Sequence, residues 1–198
     1  MKGEKGQRRR NELLKIAYRM FIEKGYNNTS VDEIIAEAGI AKGTYYYYFP
    51  SKEATLEAVI DMMINEEVGK AKAVVESSLP VPQKLAAVIQ SFRPQQEEEN
   101  IASALETKEN IILHEKLDKR LIAEAVPLLS DVVKEGISQG NLSCDLTEER
   151  VKMILILCIH VFNKGGFTEN DVTVFIDMVE KTFGAESGTM GFVKELIN

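Results

Sequence analysis

The chain of 198 residues has a formal net charge of −7, is 44% hydrophobic and 28% charged, and holds two cysteines. This composition supports a substantial core and excludes a disordered chain, and Cys144 and Cys158 offer neither a disulfide framework nor a metal-like spacing. The segment Met1 to Gly6 is polar, and the longest apolar run, Met153 to Ile159, falls far short of the roughly 20 residues that cross a bilayer. The expected setting is the cytoplasm, with no membrane partner.

The charge is unevenly distributed. Residues 1–52 carry ten Lys/Arg against six Asp/Glu, whereas residues 53–198 carry fourteen against twenty-five. A basic module on an acidic body suggests that the first part meets a polyanion and the second has another task.

In chain order, helical periodicity dominates. Arg8 to Lys24 places Leu13, Ile16, Ala17, Met20 and Phe21 on one face, and Gly25 stops the helix. The run Arg8-Arg9-Arg10 sits at the positive end of that helix's dipole, a mismatch that an anionic partner would relieve. Ser30-Val31-Asp32-Glu33 reads as a capping box opening a short helix with Val31, Ile34, Ile35 and Ala38, closed by Gly39. After Ile40-Ala41 a second short helix begins at Lys42 and ends at Pro50. Two short helices joined by a Gly-containing turn form a helix-turn-helix pattern, the second helix free to enter a groove.

That second helix contains four consecutive tyrosines. At about 100° per residue Tyr45 and Phe49 share the inward face. Gly43, Thr44 and Tyr47 fall opposite, and Lys42, Tyr46 and Tyr48 lie on the flanks. The outer surface is small at its start, rich in hydroxyls and cationic at its edges, as close approach by an anion requires.

A long helix is expected from Ser51 to about Glu76, with no Gly- or Pro-rich linker ahead of it. Ser77 to Pro82 is a loop, and Pro82 suits the first turn of a helix bearing Leu85, Val88, Ile89 and Phe92. The polar run Gln95 to Glu99 is expected to be a solvated loop and helix start. Further helices follow around Ile101, Ala102 and Leu105, from Ile111 to Gly136 with a kink at Pro127, and from Thr147. Met153 to Ile159 is apolar all round. The last main helix, opened by the capping pattern Thr168 to Asp171, has Val172, Phe175, Ile176, Val179 and Phe183 on one face and Val174 and Met178 on another. One small body cannot easily surround both of these helices. Pairing with a second copy as a four-helix bundle would cover the surplus, with Leu157, Val161, Phe175, Met178 and Val179 as expected interface residues. The chain is read as all-α. An N-terminal three-helix helix-turn-helix domain (residues 1–52) precedes a helical ligand-binding and dimerisation domain (residues 53–198).

The stretch from Thr29 to Glu53, with both glycines and the ending Phe49-Pro50-Ser51-Lys52-Glu53, resembles the DNA-binding signature of the TetR family of bacterial transcriptional repressors. The likeness covers roughly residues 8–56 and extends to helix lengths. It implies an all-α homodimer bound to double-stranded DNA at a pseudo-palindromic operator, released by a small-molecule effector held among the middle helices. On the same resemblance Thr29 and Ser30 would meet phosphate at a helix N-terminus. Lys42, Gly43 and Thr44 would approach base edges, and Tyr46 and Tyr48 would reach phosphates. Tyr47 would contact a thymine methyl or a phosphate, and Lys52 would hold the DNA backbone. Met62, Met63, Phe92 and Leu105 are the candidate effector contacts. Three positions depart from the pattern. Ala41 replaces the usual Ser or Thr cap, a loss of about 1 kcal/mol, Tyr45 stands for a Leu and Tyr48 for a His.

No cofactor, metal or catalytic residue is expected. Only His114 and His160 are present, and Cys158, two helical residues before His160, points about 200° away from it. The competing reading within the same fold is a structural DNA-binding factor that answers to no effector.

Overall fold

The computed structural model describes residues 2–92, 98–105, 107, 110–161 and 168–194, with the backbone alone given for Lys2, Glu99, His160 and Val161. Among these the chain forms nine helices and no strand. They are α1 (Lys2–Lys24), α2 (Val31–Ala38), α3 (Lys42–Tyr48), α4 (Lys52–Val75), α5 (Val81–Ser91), α6 (Glu99–Leu105), α7 (Ile111–Ser138), α8 (Thr147–Val161) and α9 (Glu169–Phe183). The all-α expectation holds, and α7 continues as one helix through Pro127. Most of the polar run at 95–99, and the tail beyond Lys194, lie outside the described residues.

Packing divides the chain into two units, residues 1–65 with 94–117 and residues 66–93 with 118–198. Two of the three cuts fall inside helices, α4 and α7. This grouping rests on packing and differs in kind from a functional division at residue 52.

In the first unit α1 packs on α2 and α6, and α2 on α3. The apolar stripe of α1 is buried at Leu13, Leu14, Ala17, Met20 and Phe21, and Ile34 of α2, Tyr45 and Phe49 of the α3 region, and Ile101 and Leu105 of α6 are buried as well. The first helix begins at Lys2 and not at Arg8, so Arg8 to Arg10 lie inside it and not at its positive end, whereas the ends of α2 and the start of α4 follow their sequence signals. Ser30 and Glu33 form a complete capping box, and Gly39 closes α2 at φ 60°, a left-handed conformation that glycine adopts without steric cost. Ser51 caps α4, its hydroxyl accepting from the Ala54 N–H at 3.1 Å.

The second unit has its own core. Ala71, Val81, Leu85, Val88, Leu128, Leu129, Val132, Val133, Val151 and Phe183 are buried together, joined by Phe175 and Val179. Gly136 permits this approach, since a Cβ there would lie 2.7 Å from Leu142 Cδ1 and 3.1 Å from Val81 Cγ1. A buried ammonium ties three elements: Lys84 Nζ of α5 donates to the Val75 carbonyl at the end of α4 (2.9 Å) and to Glu135 of α7 (2.7 Å). Both partners satisfy a charge that burial would otherwise penalise.

Two of the expected interface residues belong to this core. Phe175 and Val179 are each 5% exposed in the single chain, so they are covered by their own unit and not by a second copy. Two apolar faces on α9 could each have served, and the larger side chains turned inward. Leu157 and Met178 are half-buried against the same core, and the Val161 side chain lies outside the described residues. The apolar side chains left outermost on α8 and α9 are Met153 and Val174, each 66% exposed.

Two substitutions test this packing. Thr55→Val strands the buried Tyr45 hydroxyl and should cost about 1–3 kcal/mol in denaturant unfolding, more than Tyr45→Phe, which leaves Thr55 bonded to the Ser51 carbonyl. Ser130, fully buried on α7 with no partner for its hydroxyl, behaves oppositely: Ser130→Ala should be neutral or stabilising by up to about 1 kcal/mol.

Candidate nucleic-acid interface

The interface is built from the rotation of α3. Tyr45 is fully buried, and its hydroxyl is hydrogen-bonded to Thr55 of α4 at 2.5 Å. Burial pushes its phenol pKa up. Phe49, 2% exposed, packs beside it with ring centroids 5.9 Å apart. These anchors turn the rest of α3 outward. Lys42, Gly43, Tyr46 and Tyr47 are exposed, with Tyr47 at 81%, and Thr44 and Tyr48 are half-buried. The angular reading holds for Tyr45 and Phe49 inside and for Gly43 and Tyr47 outside, whereas Thr44, expected on the outer side, is half-buried. A Cβ on Gly43 would meet nothing within 4 Å, so the space in front of it is open.

The tyrosine rings are not independent. Tyr46 stands edge-on to Tyr45 at 5.4 Å and Tyr48 edge-on to Tyr47 at 5.0 Å, an arrangement aromatic pairs prefer. The Tyr48 hydroxyl also faces Gly6 of α1, where an added Cβ would lie 3.9 Å from it.

Thr29 does not stand at the surface as expected. It is 1% exposed, and its hydroxyl donates to the carbonyls of Gly25 (2.9 Å) and Met20 (3.2 Å), closing the turn between α1 and α2. A buried hydroxyl so engaged cannot also hold a phosphate. Ser30 is exposed. Its hydroxyl accepts from the Glu33 N–H (3.2 Å) and donates to Glu33 Oε2 (2.8 Å), and its own N–H donates to the same oxygen at 2.8 Å. Those bonds from Ser30, with Lys24 beside them, hold the Glu33 carboxyl down to about 2.

The cations of the module are mostly engaged. Lys42 Nζ lies 3.0 Å from Asp32 Oδ1, and that hydrogen bond raises its pKa. Lys24 pairs with Glu33 at 3.1 Å and Arg19 with Glu37. Arg8 and Arg9 both reach Glu12. The Arg10 guanidinium lies over the Phe49 ring at 5.1 Å, and Lys52 Nζ over the Tyr26 ring at 4.1 Å. Partial burial lowers the Lys52 pKa. The sequence pointed to Lys42, Lys52 and the Arg8–Arg10 run but not to the contacts of Asp32 with Lys42 and of Arg10 with Phe49. Their spacing of ten residues from Lys42 and thirty-nine from Phe49 carries no periodic signal, and only the folded chain pairs them.

The expected effector residues are described unit by unit. Leu105 is buried and Met62 and Met63 are half-buried in the first unit, and Phe92 is half-buried against the core of the second. A shallow groove of about 330 Å³ beside α1 is lined by Arg9, Glu12, Leu13, Lys15, Ile16 and Ala38, and by none of these four. Among the described residues no group of His, Cys, Asp and Glu could hold a metal, and no helix is long and apolar enough to cross a membrane.

Residues 13–59 match the family model for bacterial regulatory proteins, tetR family. Over 145 residues, 71% of each chain, the sequence is 28% identical to the HTH-type transcriptional repressor KstR2 of Rhodococcus jostii. It is 38% identical over 79 residues to the HTH-type transcriptional regulator EthR of Mycolicibacterium smegmatis, covering 40% of this chain and 36% of that one. In fold it is similar to a transcriptional regulator from Cytophaga hutchinsonii, with a TM-score of 0.63 at 20% identity, covering 93% of this chain and 96% of that one. A TetR transcriptional regulator from Chloroflexus aurantiacus gives 0.60 at 20% identity, with 97% of both chains covered.

The capping box makes one acid-side prediction. Glu33's pKa is lowered in the folded chain, so its contribution is complete above the ordinary value of 4.5 and lost as pH falls toward about 2. Amide resonances of Ser30 and Glu33 followed through that window should report loosening of the α2 start before global unfolding. Glu33→Gln should remove that step from the titration.

Proposed function

The chain belongs to the tetR family of bacterial regulatory proteins and is a transcriptional regulator, and on that premise we propose that it is a repressor which holds a pseudo-palindromic operator as a homodimer and releases it on binding a small-molecule effector. The observation that carries the DNA-binding part is the face of α3. It is a short helix locked from behind by Tyr45 and Phe49, presenting Lys42, open Gly43, and exposed Tyr46 and Tyr47. Repression is favoured over activation by the naming of KstR2 as a repressor.

In this reading residues 1–52 bind DNA and residues 53–198 hold the effector and the partner chain. Lys42, Gly43 and Thr44 meet base edges, where the first residues of a recognition helix enter the major groove. Ser30, Tyr46, Tyr48 and Lys52 meet phosphates, and Tyr47, the most exposed of the four tyrosines, meets a base methyl or a phosphate. Two such helices in a symmetric dimer address half-sites about one helical turn apart. Apolar side chains of the helical body receive the effector, with Met62, Met63, Phe92 and Leu105 as the proposed contacts. Release follows only if the effector binds the DNA-competent and DNA-incompetent states with different affinity. The partner chain is proposed to cover the outer faces of α8 and α9, where Met153 and Val174 stand exposed.

Three measurements bear on this. Gel retardation with promoter fragments should give a retarded complex at low salt that a cognate effector dissolves. A complex that no ligand affects would favour a structural DNA-binding factor instead. Lys52→Ala should weaken binding to all sequences alike and reduce the salt slope by about one, whereas Lys42→Ala should change relative affinities among sequences. Val174→Arg should shift the chain to monomer in analytical ultracentrifugation and weaken operator binding. Phe175→Ala should instead lower stability by about 3–5 kcal/mol.

A further inference from the structure

We propose that Asp32 is a specificity-determining residue of the DNA-binding face, an intramolecular competitor that withholds the Lys42 ammonium from phosphate and yields it to neutral base-edge acceptors. The inference rests on the reading of α2 and α3 as a DNA-binding pair.

The other two carboxylates of α2 have structural partners. Glu33 closes the capping box and pairs with Lys24, and Glu37 pairs with Arg19 of α1. Asp32 does neither. It stands 75% exposed in the first turn of α2, and its carboxylate reaches across the turn to Lys42, itself 62% exposed, at 3.0 Å. A pair so open to water contributes little to folding. A carboxylate there is also costly for binding, because the first helix of a helix-turn-helix crosses the DNA backbone and phosphates would repel it. What it changes most is the chemistry of the neighbouring ammonium.

An ammonium is a point charge with three donors and no directional preference, so alone it is satisfied by any phosphate on any sequence. With Asp32 attached, one donor is taken and the local charge is cancelled. A phosphate approaching Lys42 must then lie beside a carboxylate or displace it. Guanine O6 and N7 are neutral acceptors and can take the two remaining donors without that repulsion. The carboxylate can at the same time accept from a cytosine amino group. The pair thus penalises phosphate relative to base edges at the first position of α3.

The test uses the full-length chain, Asp32→Asn, Lys42→Ala and the double variant, all changed at exposed positions. Each is titrated by fluorescence anisotropy over a salt series. The probes are a duplex selected from a random pool by the unaltered chain and a scrambled duplex of the same composition. Asp32→Asn should tighten the scrambled duplex about fivefold, the upper end for an exposed pair, and steepen its salt dependence by about one. The selected duplex should tighten by less than about twofold. In the Lys42→Ala background the difference between duplexes should vanish. Equal tightening on both duplexes would reduce Asp32 to a long-range charge and overturn the proposal. So would a differential that persists without Lys42, or no change at all. A chain that binds DNA but selects no duplex from the pool overturns the specificity role alone. One that binds neither duplex at low salt overturns the DNA-binding reading as well.

Discussion

The hydrogen bond between Tyr45 and Thr55 joins α3, a helix of seven residues, to the start of α4, and what α3 presents outward depends on it. A helix this short has too few internal bonds to hold itself. Its N-cap position is Ala41, which supplies no side-chain acceptor, so the usual local support at that end is missing. Tertiary anchoring replaces it. Tyr45 fills the core and satisfies its hydroxyl there, Phe49 packs beside it, and Arg10 lies over the Phe49 ring. The Tyr at position 45, a departure from the family pattern, therefore supplies a buried polar bond that a Leu could not make.

The same logic explains how the tyrosine run avoids the penalty of four hydroxyls in one core. One ring is buried with a partner, one is half-buried against α1, and two stand in water. The two outward rings each stand edge-on to a neighbouring tyrosine. Cations are arranged in a comparable way. Arg10 and Lys52 stack on rings, and Lys42, Lys24 and Arg19 are held by the three acids of α2. Under the proposed function, a basic module with its charges already partnered binds a polyanion by exchanging partners.

Legibility from the sequence tracks the range of the physics involved. Caps at Ser30 and Thr168, the stop at Gly39, and the inward pairing of Tyr45 with Phe49 are local and periodic, and each appears as read. Thr29 was misread because its hydroxyl is claimed by carbonyls four and nine residues earlier, a turn closure that side-chain type alone does not announce. Phe175 and Val179 were misplaced for another reason. A helix with two apolar faces states that two partners exist without saying which lies in its own chain. Asp32 and Arg10 needed the tertiary fold.

The second unit shows how a body can be firm in its centre and open at its margin. Lys84 holds the last turn of α4 to α7 through two short bonds at a site only 5% exposed at its side chain. Removing one partner from such a pair leaves a buried charge, which is far more costly than the pair is worth. The end of α4 is therefore fixed to α7, while its first turns carry Thr55, the partner of Tyr45. One continuous helix thus carries Thr55, the partner of Tyr45, near one end and Val75, whose carbonyl accepts from Lys84, at the other.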